Sequence, residues 1–185
     1  MLSFRTELAQ LAGVLPTQKQ RRQPGKIDVN PKPQPGRALI LMANHPLLNS
    51  GYPESAIGET DFWAFLLRPT QVTAGCLILA CKEDVTSLGG VSAEAGAELP
   101  AVSIRLKQAL SRTYQPEKFN YLTLIMVDSH VHFHVIPRYS KPTTVAGAVV
   151  EDAGWPRQPG MGTEANLSDE QVTEMLQSIK ANWPK

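Results

Sequence analysis

The stretch Asp128-Ser-His-Val-His-Phe-His-Val-Ile-Pro-Arg138 holds three of the four histidines of a 185-residue chain at alternate positions. Successive side chains of a β-strand point to opposite faces, so His130, His132 and His134 share one face and Val131, Phe133 and Val135 the other. The apolar face belongs on a core and the histidine face in a cleft.

Upstream, residues 119–127 (FNYLTLIMV) read as a strand, joined to the histidine strand by a tight connection at Asp128-Ser129. Before it, Ser92 can cap a helix that runs to about Tyr114, with Leu99, Val102, Ser103, Leu106, Leu110 and Thr113 as its inward stripe and Pro100 kinking its first part. Residues 62–67 and 76–80 are strand candidates, separated by a turn-like stretch over 68–75. Nearer the start, residues 2–15 carry apolar residues at helical spacing (Phe4, Leu8, Leu11, Leu15). Residues 18–36, with four prolines, read as an extended arm, and residues 37–42 as a short strand. Downstream, a proline- and glycine-rich tail reaches Ser168, where Ser168-Asp-Glu-Gln171 has the form of a capping box opening a last helix to about Asn182.

Composition bounds the function classes. With 42% hydrophobic and 19% charged residues and a net charge of +1, from 18 basic against 17 acidic residues, the chain reads as an ordinary globular protein. That balance supports neither a nucleic-acid nor a membrane partner, and the basic run Gln18-Lys-Gln-Arg-Arg22 reads as a solvated tail. Cys76 and Cys81 sit in one apolar run; in a strand their Cα atoms would be about 16 Å apart, far beyond the roughly 7 Å a disulfide tolerates. Reduced thiols, no signal peptide and no membrane-spanning run together point to a cytoplasmic location.

Three readings of the histidine spacing compete. The plainest is a half-exposed sheet on which histidines happen to sit. A metal site is the second: zinc needs ring nitrogens at roughly 2.0–2.1 Å, whereas the outer histidines of a straight strand are about 13 Å apart, so adjacent pairs can chelate but all three converge poorly. The one other histidine is His45, in a loop-like stretch. The third is nucleophilic catalysis, in which a central imidazole flanked at about 7 Å by two groups attacks a phosphorus atom. Mutual repulsion helps keep the central ring neutral, and the outer rings and nearby amides can steady the phosphate charge.

His130-Val-His-Phe-His-Val-Ile136 resembles the alternating signature of the histidine triad family of nucleotide hydrolases and transferases, as does the following Pro137-Arg138. Arg68-Pro69, Gly75-Cys-Leu-Ile-Leu79 and Val85-Thr-Ser-Leu88 look like that family's first hairpin and its exit, and the helix and strand that follow keep the family's order. The resemblance implies an α+β fold, an antiparallel sheet of about five strands with a long helix packed on it. It divides the chain into an N-terminal extension with a Pro-rich arm (1–59), a histidine triad domain (60–140) and a C-terminal extension ending in a helix (141–185).

By position, the resemblance makes His132 the nucleophile that forms a nucleotidyl-histidine, with His134 contacting the phosphate or leaving group and His130 holding the site together. It puts the nucleotide near Asn120, Leu66, Gly75, Ser129 and Arg138, and implies a homodimer acting on a small-molecule nucleotide with no metal and no organic cofactor. The implied reaction is hydrolysis or nucleotidyl transfer at the α-phosphate of an adenosine polyphosphate or of an AMP ester or phosphoramidate. A nucleotide-binding module with little or no turnover is the alternative. Two departures bear on that choice. Cys76 stands where family members often carry a histidine, and Ile125-Met-Val127 stands where many carry a Gly-Gln-Ser/Thr segment whose hydroxyl helps protonate the leaving group, a task Ser129 or Asp128 would have to assume.

Overall fold

The computed structural model describes residues 51–184. The helix over 2–15, the arm over 18–36, the strand over 37–42 and His45 lie outside the described residues. Within them a five-stranded antiparallel sheet, a long helix and a shorter C-terminal helix form an α+β fold.

The strands are β1 (Ala56–Glu59), β2 (Trp63–Leu67), β3 (Leu77–Cys81), β4 (Lys118–Leu122) and β5 (His132–Arg138), in the spatial order β1-β2-β3-β5-β4. β2 and β3 are unbroken apolar runs, WAFLL and LILAC, with every residue buried. Such runs belong in the middle of a sheet covered on both faces. β1 has a single buried residue, Ile57, and so little apolar signal that the sequence does not announce it.

Helix α1 (Ala93–Thr113) covers one face of the sheet. The Ser92 hydroxyl caps it by accepting from the Ala95 amide, and Val102, Leu106 and Leu110 lie buried in its stripe, joined by Ala95 and Ala109. Pro100 lies within the helix without ending it, on its exposed side. Against α1 pack Trp63, Phe65, Leu77, Leu79, Val131 and Val135, and the Trp63 indole N–H donates to the Ala95 carbonyl at 2.8 Å. Helix α2 (Asp169–Ala181), opened by the Ser168–Gln171 capping box, adds Met175 and Ile179 to the same core.

Two elements differ from the sequence expectation. β4 ends at Leu122, paired with His134, instead of running to 127. Nothing in TLIMV breaks a strand locally; the chain leaves the sheet because Ile125 takes a left-handed backbone (φ 41°), so the tight connection expected at Asp128-Ser129 is a loop spanning 123–131. In the tail, β6 (Thr143–Val145) and β7 (Ala148–Val150) form a hairpin across Ala146-Gly147. Both turn residues have positive φ (47° and 80°), the mark of a type I′ turn, and Val145 and Val150 anchor the hairpin in the main core.

Candidate active site

The face of the sheet opposite α1 carries Ala64, Leu66, Ile78 and Ala80, with His132, His134 and Ile136 beside them on β5. The register sets Ala80 against His132 and Ile78 against His134. A cleft of about 470 Å³ opens there, within the size range of small-molecule sites. Ile78, His132 and His134 come from the sheet, Arg68, Pro69 and Thr70 from the β2–β3 connection, and residues 124–128 from the β4–β5 connection.

The three histidines are not equivalent. β5 begins at His132, and His130 lies just before it, buried and absent from the cleft lining. Its Nε2 is 2.7 Å from the Cys81 carbonyl, and since a carbonyl only accepts, Nε2 carries the hydrogen. The neighbouring backbone is tied down as well, by Cys81 N–H to the Val131 carbonyl and Val131 N–H to the Val85 carbonyl. His132 Nδ1 stands 2.8 Å from the His130 carbonyl. By the same reasoning Nδ1 is the protonated nitrogen, which leaves the lone pair of the ring on Nε2. An i to i+2 bond of this kind fixes both the tautomer and the orientation of the ring.

His134 meets His132 edge-on, ring centroids 5.0 Å apart and 80° between planes, closer than the roughly 7 Å repeat of one strand face. Burial pushes the His134 pKa down, aided by the neighbouring His132 and by the Arg68 guanidinium, to about 4. It is therefore neutral at pH 7. Its Nδ1 is buried without a hydrogen-bond partner, as is Thr123 Oγ1.

Arg68 brings a positive charge to the cleft. Its Nη1 donates to the Thr70 carbonyl at 2.6 Å, and Nη2 lies 3.8 Å from the Glu164 carboxylate, a long and half-exposed pair. Buried Gln71 pins the connection that carries Arg68. Its side-chain amide donates to the carbonyls of Arg68 and Cys76 and accepts from the Cys76 amide at 2.7 Å. Asp128 also reaches the cleft, and its Oδ1 accepts from the His130 amide at 3.1 Å, closing a turn just before the histidines.

The other residues marked by the sequence lie elsewhere. Arg138 is buried in an ion pair with Asp152, Nε to Oδ2 at 2.6 Å and Nη2 to Oδ1 at 3.1 Å, while its Nη1 donates to Asn120 Oδ1 at 2.6 Å. Arg138 and Asn120 therefore form a network at the far end of β5 from His132, outside the cleft. Gly75 sits under α1: its φ is 80°, and a Cβ there would stand 2.8 Å from Leu110 Cδ2. Leu66 is wholly buried beneath the histidine face, and Ser129 does not line the cleft. Cys76 is a buried thiol that accepts from the Thr73 amide at 3.4 Å, and burial pushes its pKa up. Among the described residues no group of three His, Cys, Asp or Glu side chains is arranged to hold a metal ion. Sequence reasoning did not single out Arg68 and Ile78 individually as site residues. The departure at 125–127 was the one local sign of an unusual wall.

The HIT domain family model matches residues 51–141. The chain carries a histidine triad domain. Solved structures share this fold. A histidine triad protein from Bradyrhizobium japonicum superposes with a TM-score of 0.56 at 19% identity, covering 69% of this chain and 89% of its own. One from Sinorhizobium meliloti gives 0.57 at 21%, covering 74% and 93%. A hypothetical histidine triad nucleotide-binding protein from Sulfolobus tokodaii gives 0.56 at 17%, covering 74% and 87%. No curated protein matches the chain. Among the described residues no helix is long and apolar enough to cross a membrane.

Proposed function

We propose that this histidine triad protein is a nucleotide hydrolase or nucleotidyl transferase that cleaves at the α-phosphate of an adenosine polyphosphate or of an AMP ester, anhydride or phosphoramidate. The observation that carries this reading is the bond from His132 Nδ1–H to the His130 carbonyl, which presents Nε2 as a lone pair on a cleft residue. A nucleophile held in one tautomer and one orientation loses little freedom on reaching the transition state.

In the first step Nε2 attacks phosphorus: the P–N bond forms, the bond to the leaving group breaks, and the leaving group departs with the electron pair. In the second, water or another acceptor attacks phosphorus, the P–N bond breaks, and the imidazole recovers its lone pair. Arg68 stands where it can steady phosphate oxygens, and a neutral His134 can donate one N–H to them without competing for the proton of His132. This chemistry calls for no organic cofactor and no metal. A homodimer is part of the same reading, β4, an edge strand among the described residues with Tyr121 exposed, being a place for a second copy to extend the sheet. Two buried, unpaired thiols fit a reducing compartment such as the cytoplasm.

Intact-mass measurement after brief exposure to a diadenosine polyphosphate or an AMP phosphoramidate tests the mechanism. The expected result is a nucleotidyl adduct in the unaltered protein and none in His132→Ala. AMP binding with neither adduct nor turnover across these substrates would instead establish the non-catalytic binding module.

A further inference from the structure

After the β6–β7 hairpin the chain returns to the β2–β3 connection and is fastened to it. Met161 packs against Val72, Cys76 and Ile136, and the Ala165 amide donates to the Gln71 carbonyl at 2.7 Å. Ala165 and Leu167 then pack on the main core, and the Ser168 capping box follows directly. The backbone on both sides of residue 164 is thereby held. Glu164 is the one charged side chain from 158 to 167, and its carboxylate stands 3.8 Å from Nη2 of Arg68, whose Nη1 is bound to the Thr70 carbonyl. Arg68 lines the histidine cleft and Glu164 stands behind it.

Resting on the reading above, we propose that Glu164 is a specificity residue: its charge, set behind Arg68, makes the cleft hold the nucleoside monophosphate product less tightly relative to the substrate. The difference lies in the phosphate. An α-phosphate joined both to ribose and to a leaving group carries one negative charge. Hydrolysis turns it into a phosphomonoester, whose second pKa is about 6, so that near pH 7.5 the product carries almost two. A phosphate oxygen bonded to the guanidinium at about 2.9 Å lies on the order of 7 Å from the Glu164 carboxylate. Repulsion across that distance grows with the charge of the ligand.

The rest of the cleft does not cancel this effect. Arg68 is the one cationic side chain in its lining, and Asp128, on the opposite connection, is a second carboxylate, turned toward the His130 amide. One guanidinium thus faces two carboxylates. Glu164 is the member of the three that can be changed without altering the cleft wall. It is half exposed, so its field passes largely through water, and each ligand charge is worth about twofold at low salt.

The test measures Kd by calorimetry for adenosine, an AMP phosphoramidate and AMP at pH 7.5, in the full chain carrying His132→Ala so that no ligand is turned over. Glu164→Gln and Glu164→Lys are each compared with that background. At low salt Glu164→Gln is expected to tighten the singly charged phosphoramidate about twofold and AMP about fourfold. Glu164→Lys, which changes the charge by two, should tighten them about fourfold and sixteenfold, and adenosine should not respond to either variant. All gains should shrink toward one at about 0.5 M salt, where charges this far apart are screened. Equal factors for the three ligands, gains that salt leaves intact, or no gain at all overturns the proposal. Turnover of the phosphoramidate by the protein with His132 intact is measured separately. Its absence, with the calorimetric series as expected, overturns the hydrolase reading and leaves the charge effect of Glu164 standing.

Discussion

Protonation of His134 should cost the fold stability, and the structure fixes the pH window. Burial, then His132, then Arg68 lower the His134 pKa from 6.5 to about 4. Between those values the unfolded chain binds a proton at this position that the folded chain does not. Acidification therefore favours the unfolded state: the stability is fully present above pH 6.5, falls as pH drops through the window, and levels off below about pH 4. At about 1.36 kcal/mol per pKa unit the whole window is worth at most about 3.4 kcal/mol, and about 2 kcal/mol has been lost by pH 5. His134 is only partly buried, and solvent screening reduces the loss at pH 5 to about 1–2 kcal/mol. Urea unfolding of the wild type and of His134→Gln at pH 8, 6.5 and 5 reads it directly. Other groups titrate alike in both proteins, so the wild type should lose about 1–2 kcal/mol more than the variant between pH 8 and 5. Equal losses, or a larger loss in the variant, would show that His134 is not held neutral. The same neutrality means that any acid limb of kcat/KM near pH 6.5 belongs to another group.

Gly75→Ala should destabilise the protein by about 2–4 kcal/mol, since the new methyl meets both a left-handed backbone and Leu110 at 2.8 Å. For a domain of this size thermal melting should register it as a fall of about 4–16 °C. Asp152→Ala leaves the Arg138 guanidinium buried without its counter-charge and the amides of Tyr139 and Gly154 without their acceptor, a loss of about 3–5 kcal/mol in urea unfolding. Because this network lies outside the cleft, Arg138→Met should also lower stability while leaving AMP affinity of the folded protein within about twofold, measured by calorimetry.

Much of the fold was legible because local and tertiary preferences agree. The runs WAFLL and LILAC read as strands and are strands, Ser92 and Ser168 carry caps that the structure uses, and the α1 stripe points where its spacing directs it. Legibility failed where tertiary context overrides local preference. β1 carries only one buried residue, and TLIMV has strand-forming side chains on a chain that turns away at Ile125. The site divides the same way. Alternation located the histidines, but a period of two cannot say that strand pairing begins at His132, nor that Arg138 finds Asp152 fourteen residues on. Arg68 reached the cleft through the turn locked by Gln71, a buried amide with no sequence signature of its own.

The spacing of two residues between His130 and His132 has a cause beyond facing. In this backbone the carbonyl of one residue lies within reach of the ring two positions on, so the His132 ring is oriented by its own chain. Any residue at position 130 has a carbonyl; what the His130 side chain adds is an anchor, since its Nε2–H on Cys81 fixes the peptide that carries that carbonyl. The three rings thus divide the work by depth. His130 holds the backbone beneath the cleft, His132 presents a lone pair into it, and His134, kept neutral by burial beside Arg68, adds an imidazole without adding a charge. A triad built this way is complete within β5 and its approach.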